Sequence, residues 1–317
     1  MRASVRTPAA PAAKKTSAWR KMKRGWRLYA LIALPLFYLL LFKYVPMYGI
    51  VIAFKNYTAS TGILGSEWVG LEHFERFFRS YEFGRILSNT LILSLYSLAA
   101  GFPFPILLAL SLNDVKNRLF KNTVQMVSYA PYFISIVVMV GIILEMLEPR
   151  HGLVNNLIRL FGFEAVGFMN DPSYFKSIFV WSGIWQTVGF NCIIYMAALA
   201  SVDPVLHEAA VVDGASKLRR MWHIDLPGIM PVAVILLILN TGTILDSGFE
   251  KVLLMQNPLN LSTSEVIDSY VYKVAFTSQV VNYSYSTAIG LFKSIIGLIL
   301  LVAVNKIARR AGQSSLW

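Results

Sequence analysis

The sequence predicts an all-α membrane protein with six transmembrane helices, and three observations lead there. Of 317 residues, 56% are hydrophobic and 15% charged, the mean hydropathy is +0.56, and apolar runs of the ~20 residues needed to cross hydrocarbon recur along the chain. Four of these runs, 86–112, 122–144, 177–202 and 226–245, contain no Asp, Glu, Lys or Arg. A first span near 28–54 is interrupted by Lys43 alone, and a last one near 285–307 contains Lys293 and ends at Lys306. Pro35, Pro103 and Pro105 fall inside these runs, where membrane helices tolerate proline, and kinks are expected there. The single cysteine, Cys192, excludes a disulfide framework within the chain and Cys-rich metal sites.

The charge pattern orients the spans. With the N-terminus inside, segments 1–27, 113–123, 201–227 and 305–317 hold 18 of the 29 lysines and arginines, although the outer segments 43–85, 146–176 and 246–284, which hold 10, are longer. Basic residues collect on the cytoplasmic side, so both termini are expected there, and the formal charge of +12 needs no nucleic-acid partner. Residues 1–27 run from Pro/Ala-rich to basic and read as a flexible tail and interfacial anchor in contact with lipid, with Trp19 and Trp26 at headgroup depth. Residues 28–317 form the membrane domain. No small-residue cleavage site follows the apolar run near 31–42, which argues against a secretory signal.

Between spans four and five lies HEAAVVDGASKLRRMWHIDLP, residues 207–227, too polar for lipid and placed by the charge pattern in the cytoplasm. Asp203 and Pro204 form an N-cap and first-turn pair, and Gly214 is a natural left-handed stop, so a helix of about 10 residues or ~15 Å is expected between them. On a helical wheel His207, Glu208 and Val211 share one side, while Val205, Leu206, Ala209 and Ala210 occupy the other, where the paired alanines leave room for close approach. After Gly214 a second helix would set Leu218, Met221 and Trp222 opposite Arg219, Arg220 and His223, a pattern suited to lying along the membrane surface. Leu226 and Pro227 would then open span five.

Glu208-Ala209-Ala210, three residues, Gly214, nine residues and Ile224-x-Leu226-Pro227 resemble the EAA signature of the transmembrane subunits of bacterial binding-protein-dependent ABC importers. The segment WVGLEHFERFFRSYEFGRILSNTL (68–91) resembles the family's approach to its second span, and GFEKVLLMQNPL (248–259) and the closing SSLW (314–317) resemble the LplB-like branch, which takes up oligosaccharides from complex polysaccharides. The resemblance implies a type I ABC importer permease fold in the bacterial cell (inner) membrane. It also implies that 203–214 is a coupling helix docked on a cytoplasmic ATPase through His207, Glu208, Ala209, Ala210, Asp213, Gly214, Ile224, Leu226 and Pro227. The implied partners are a second homologous permease, two ATP-binding subunits that hold ATP and Mg, an extracytoplasmic solute-binding protein met by the outer segments, and an oligosaccharide. The chain has no G-x-x-x-x-G-K phosphate loop, so it is expected to be non-catalytic and free of cofactors of its own.

Two polar stripes are candidates for the pathway. Thr187, Asn191 and Tyr195 recur every four residues in span four, and Asn240, Thr243 and Ser247 follow helical spacing in span five. Uncharged amides, hydroxyls and phenols can replace the water around sugar hydroxyls; the same groups serve equally well in interhelical hydrogen bonds. Lys293, an ionisable group within a span, is a further pathway candidate that could meet an acidic sugar or a partner carboxylate, but the expectation is that it snorkels to the outer interface about two turns away. An importer permease for a non-sugar solute is one alternative, and an ion-gradient-driven transporter is the rival mechanism. It calls for charges at mid-membrane in several spans, and only Lys293 and Glu145 come near. Four scattered histidines without an H-E-x-x-H pattern, and no G-x-S-x-G elbow, point away from metal or hydrolytic chemistry. The orientation has a direct check: cysteines introduced at Ser60, Ser173 and Ser262 should react with an impermeant thiol reagent in sealed cells while one at Ser216 stays unlabelled, and labelling at 216 would invert the topology.

Overall fold

The computed structural model describes residues 25–246, 248–310 and 312, so Trp19, Ser247 and the closing 314–317 lie outside the described residues. The chain divides into two compact units, 1–51 and 52–317. Helix α1 (Trp26–Phe54) provides the first, apart from its last three residues. It contains Pro35 and widens into a π-turn at Leu40–Tyr44, closed by Val45 N–H donating to Leu40 O. Pro46 comes next; proline offers no N–H and its ring crowds the carbonyl four residues back, which a wider turn relieves.

The second unit opens with a short antiparallel hairpin, β1 (Lys55–Asn56) against β2 (Glu67–Trp68), followed by α2 (Glu72–Phe78) and α3 (Glu82–Asp114). Then come α4 (Arg118–Phe133), α5 (Ile136–Leu147), α6 (Leu153–Leu160), α7 (Pro172–Leu199), α8 (Pro204–Val212) and α9 (Lys217–Gly242). The last four are α10 (Phe249–Met255), α11 (Leu261–Ser264), α12 (Ile267–Tyr272) and α13 (Tyr283–Arg310). Among the described residues, α1, α3, α7, α9 and α13 are long and apolar enough to cross a membrane, and the count reaches 6 if α4 and α5 together make one crossing.

Two expectations need correction. The run 122–144 is not one straight helix: α4 and α5 meet at 100°. Pro131 has no N–H for the helical ladder, Ile134 is extended, and Ser135 starts α5 by accepting from Val138 N–H at 3.4 Å. The freed Ile134 carbonyl takes a hydrogen bond from the Gln186 amide of α7 at 3.0 Å, the substitution by a neighbour that lets irregular backbone persist in a membrane protein. Secondly, the basic stretch after Gly214 is not a separate surface helix but the first turns of α9. It passes into the span through a π-turn at Met221–Asp225 that ends just before Pro227, as the turn in α1 ends before Pro46. The outer segment 246–284, long enough to fold, does so: α10, α11 and α12 carry buried Val252, Met255, Ser264, Ile267 and Ser269. Asn89 of α3 donates to Ser262 O at 2.8 Å, Thr90 accepts from Ile267 N–H at 2.9 Å, and Glu265 binds Arg85 at 2.6 Å and Lys273 at 2.8 Å. A buried carboxylate held by two cations resists removal of either.

Helix α7 packs along α3, α4, α9 and α11. Its first half joins a core of Leu93, Met139, Phe175, Phe179, Val180, Ile184, Val252 and Met255, and its second half a core of Ala109, Leu112, Cys192, Tyr195, Leu199, Ile229 and Ala233. A third core gathers Phe77, Ile86, Ile267, Tyr285 and Ile289 around edge-on aromatic contacts. Gly189 is the tightest point between α4 and α7: a Cβ there would collide with the Ser128 carbonyl group. Gly189→Ala should therefore destabilise the purified protein by about 1–3 kcal/mol through overpacking. In Gly141→Ala the added methyl meets nothing within 4 Å and the helix gains up to about 1 kcal/mol. Thermal unfolding in detergent compares the two, and equal midpoints would remove the close contact.

Candidate functional site

A cavity of about 450 Å³ opens between α3, α7, α9 and the segment that leads into α10. Five of the residues expected to line a pathway, Thr187, Asn191 and Tyr195 of α7 and Asn240 and Thr243 beyond it, lie on its wall together. Helical repeat explains the convergence, because side chains four apart on α7 face one way. Thr187 satisfies its hydroxyl on Gly183 O at 2.9 Å and Thr243 reaches Asn240 O at 3.4 Å. Ser94, Ser97 and Gln186 add polar groups to the wall.

Two charged side chains, Asp246 and Lys251, stand among the described residues of the wall. Asp246 follows the end of α9, keeps 63% of its side chain exposed and binds Lys293 of α13 at 2.5 Å. The same ammonium holds Asp268 of α12 at 2.6 Å. Lys293 thus does not snorkel: its side chain is 14% exposed, and two carboxylates from other elements use the donors that would otherwise seek water. It stands behind the cavity wall as the fastener of Asp246. Lys251 is more deeply placed, at 5% exposure. Its ammonium donates to Phe179 O at 2.6 Å and rests over the Phe179 ring, 4.6 Å from the centroid. Burial pushes the pKa of this group down to about 7. Sequence reasoning passed over Lys251 and Asp246 because both fall in what looked like an outer loop; a lone lysine inside the apolar run FEKVLLM is the signal that could have marked it.

The second region is α8. Asp203 accepts from Val205 N–H at 2.9 Å with Pro204 behind it. At the other end Gly214 has φ +73 and Ala215 N–H returns to Ala210 O at 2.8 Å, a left-handed cap that only glycine adopts without strain. The wheel grouping of His207 with Glu208 does not hold. His207 turns inward to Asp225 in the π-turn of α9 at 3.2 Å, and Ala210 is partly covered beside it, whereas Glu208, Ala209, Val205, Leu206, Val211, Val212, Asp213 and Gly214 are exposed. The attraction of Asp225 decides the matter, since an inward imidazole satisfies a buried carboxylate. Ile224 and Leu226 are partly buried and Pro227 is exposed. Lys217 binds Asp114 at the end of α3 at 2.8 Å, which ties the start of α9 to a neighbouring span.

Residues 101–313, which include α8 and most of the cavity wall, match the family described as binding-protein-dependent transport system inner membrane component. The chain belongs to this family. It is a multi-pass membrane permease, 47% identical over 92% of its length to the polygalacturonan/rhamnogalacturonan transport system permease protein YteP of Bacillus subtilis, of which the alignment covers 90%. Protein LplB of the same organism is 42% identical over 98% of the permease and 97% of that chain. Its fold is similar to a subunit of a bacterial ABC transporter involved in the import of the acidic polysaccharide alginate, with TM-score 0.86, 38% identity, and 92% and 98% of the two chains covered. A second structure of a bacterial alginate ABC transporter, in complex with an alginate pentasaccharide-bound periplasmic protein, gives TM-score 0.87 at 37% identity, covering 94% and 99%. The branch expected from 248–259 is therefore the right one, and those residues build α10 against the cavity.

Charge balance around Lys293 can be tested on the permease. Lys293→Met leaves Asp246 and Asp268 without their shared cation and should destabilise the purified protein by about 3–5 kcal/mol, while adding Asp268→Asn to it should restore much of the loss. Thermal unfolding monitors both, and an unchanged midpoint for Lys293→Met would show that the pairs contribute nothing.

Proposed function

We propose that this permease is the transmembrane subunit of an ATP-driven ABC importer that carries oligosaccharides, cut from a complex acidic polysaccharide, into the cytoplasm. The observation that carries the reading is the cavity. Set among apolar side chains, its wall carries amide, hydroxyl and phenol groups from α3, α7 and the end of α9, in a chain whose relatives are permeases for polygalacturonan, rhamnogalacturonan and alginate systems. Such groups exchange with the water around sugar hydroxyls without trapping an ion. The charges an ion-coupled transporter would use are committed elsewhere, Lys293 to Asp246 and Asp268, and Glu145 to His151 at 2.9 Å.

In this reading a second, homologous permease closes the pathway, an extracytoplasmic solute-binding protein delivers the sugar, and two cytoplasmic subunits bind ATP and Mg and hydrolyse the nucleotide. Both termini and α8 face the cytoplasm. The exposed rim of α8, with Glu208 and Ala209 at its middle, seats in the ATPase, and His207 transmits the contact to α9 through Asp225. The capped helix is short and rigid, as a coupling element needs to be. Two sets of variants in the reconstituted complex test the assignment. Asn191→Leu and Asn240→Leu should lower sugar import at least several-fold with basal ATP hydrolysis retained, whereas Glu208→Ala should leave assembly intact but reduce the stimulation of ATP hydrolysis by sugar-loaded binding protein. Normal import by both asparagine variants would move the path away from this cavity.

A further inference from the structure

Lys251 is a buried amine with an incomplete set of partners. One hydrogen bond, to Phe179 O, and one ring contact account for it, and no carboxylate lies within ion-pair distance among the described residues. An ammonium has three donors, and a desolvated charge without a counterion is costly. The groups around its Nζ are themselves on the cavity wall: Phe179, and Gly183, whose missing Cβ would stand 3.3 Å from it. Adding a side chain at Gly183 would cover the ammonium; glycine leaves it accessible from the cavity. The other charge of the wall, Asp246, is bound by Lys293 and so does not quench Lys251.

We propose that Lys251 is a specificity-determining residue of the cavity, its ammonium receiving the carboxylate of a uronate unit as the oligosaccharide passes. The inference rests on the oligosaccharide-import reading and adds the chemical class that the cavity selects. The division of labour follows from the wall. Asn191, Asn240 and Thr187 meet hydroxyls that every sugar carries, and Lys251 meets the group that distinguishes a uronate from a neutral hexose. Because the ammonium already rests on a carbonyl and an aromatic face, the empty cavity does not collapse onto it, and the anion can leave it again. A carboxylate in this poorly hydrated site completes the hydrogen bonding of the cation and is favoured over its uncharged ester.

The test compares oligogalacturonate with its methyl ester as cargo for the full reconstituted complex at saturating binding protein. Wild-type complex should import the acid faster, and Lys251→Met should lower the acid-to-ester rate ratio about tenfold or more, the loss of one charge-assisted hydrogen bond, while Lys251→Arg retains most of it. Equal wild-type rates for acid and ester overturn the inference whether or not the variants assemble. A Lys251→Met complex that slows both cargoes alike, or neither, also overturns it and makes Lys251 a support for Phe179. Import of neither cargo by the wild-type complex would instead count against oligosaccharide import itself, and import of the ester alone would leave that reading standing without the role of Lys251.

Discussion

Inside hydrocarbon a peptide group has no water to turn to, and this constraint governs where the chain departs from straight helix. Each departure comes with a substitute partner. The break between α4 and α5 is closed by Gln186 on the Ile134 carbonyl, and the π-turns of α1 and α9 bring the ladder up to Pro46 and Pro227 with one wide hydrogen bond each. At Phe102 the helix of α3 is interrupted for a single residue, just ahead of Pro103. The prolines that disturb the helices are thus also what shapes them, since a bent α4–α5 and a re-phased α9 face α7 differently from straight rods.

Charge follows a parallel rule. The described acidic groups deep in the second unit each have a cation or a strong donor: Glu265 has Arg85 and Lys273, Asp268 has Lys293, and Asp225 has His207. Two of these pairs, Arg85–Glu265 and Lys293–Asp268, join other helices to 246–284 and draw that segment into the bundle, where a loop would have left the cavity open on that side. The segment that first looks like a connection is in this way part of the wall.

The spans were legible because hydrophobic length is a local property, and the cavity residues of α7 were legible because a four-residue repeat encodes a shared face before any partner is known. Caps at Asp203 and Gly214 were equally local. What escaped was everything set by a distant partner. The wheel of α8 could not separate His207 from Glu208, since the choice depends on Asp225 eighteen positions later. Nor could hydropathy tell a snorkelling Lys293 from one bound by Asp246 and Asp268, or reveal that Lys251 is buried beneath Phe179. Pro131 and Ser135 carry a local signal for the bend after α4 that went unread, and the carbonyl it frees is satisfied by Gln186 from another helix.

The contact between His207 and Asp225 sets up a lever. Asp225 sits near the foot of α9 and Asn240 on the cavity wall, fifteen residues further along the same continuous helix, a distance of about 22 Å at helical rise. A tilt of roughly 10° about the foot would sweep the upper arm by about 4 Å at that length, more than a hydrogen bond can span. On the proposed function, a small rotation of α8 passed through one imidazole would be enough to make or release the contacts of Asn240 with a sugar, across from the α7 wall that Gly189 lets pack close on α4.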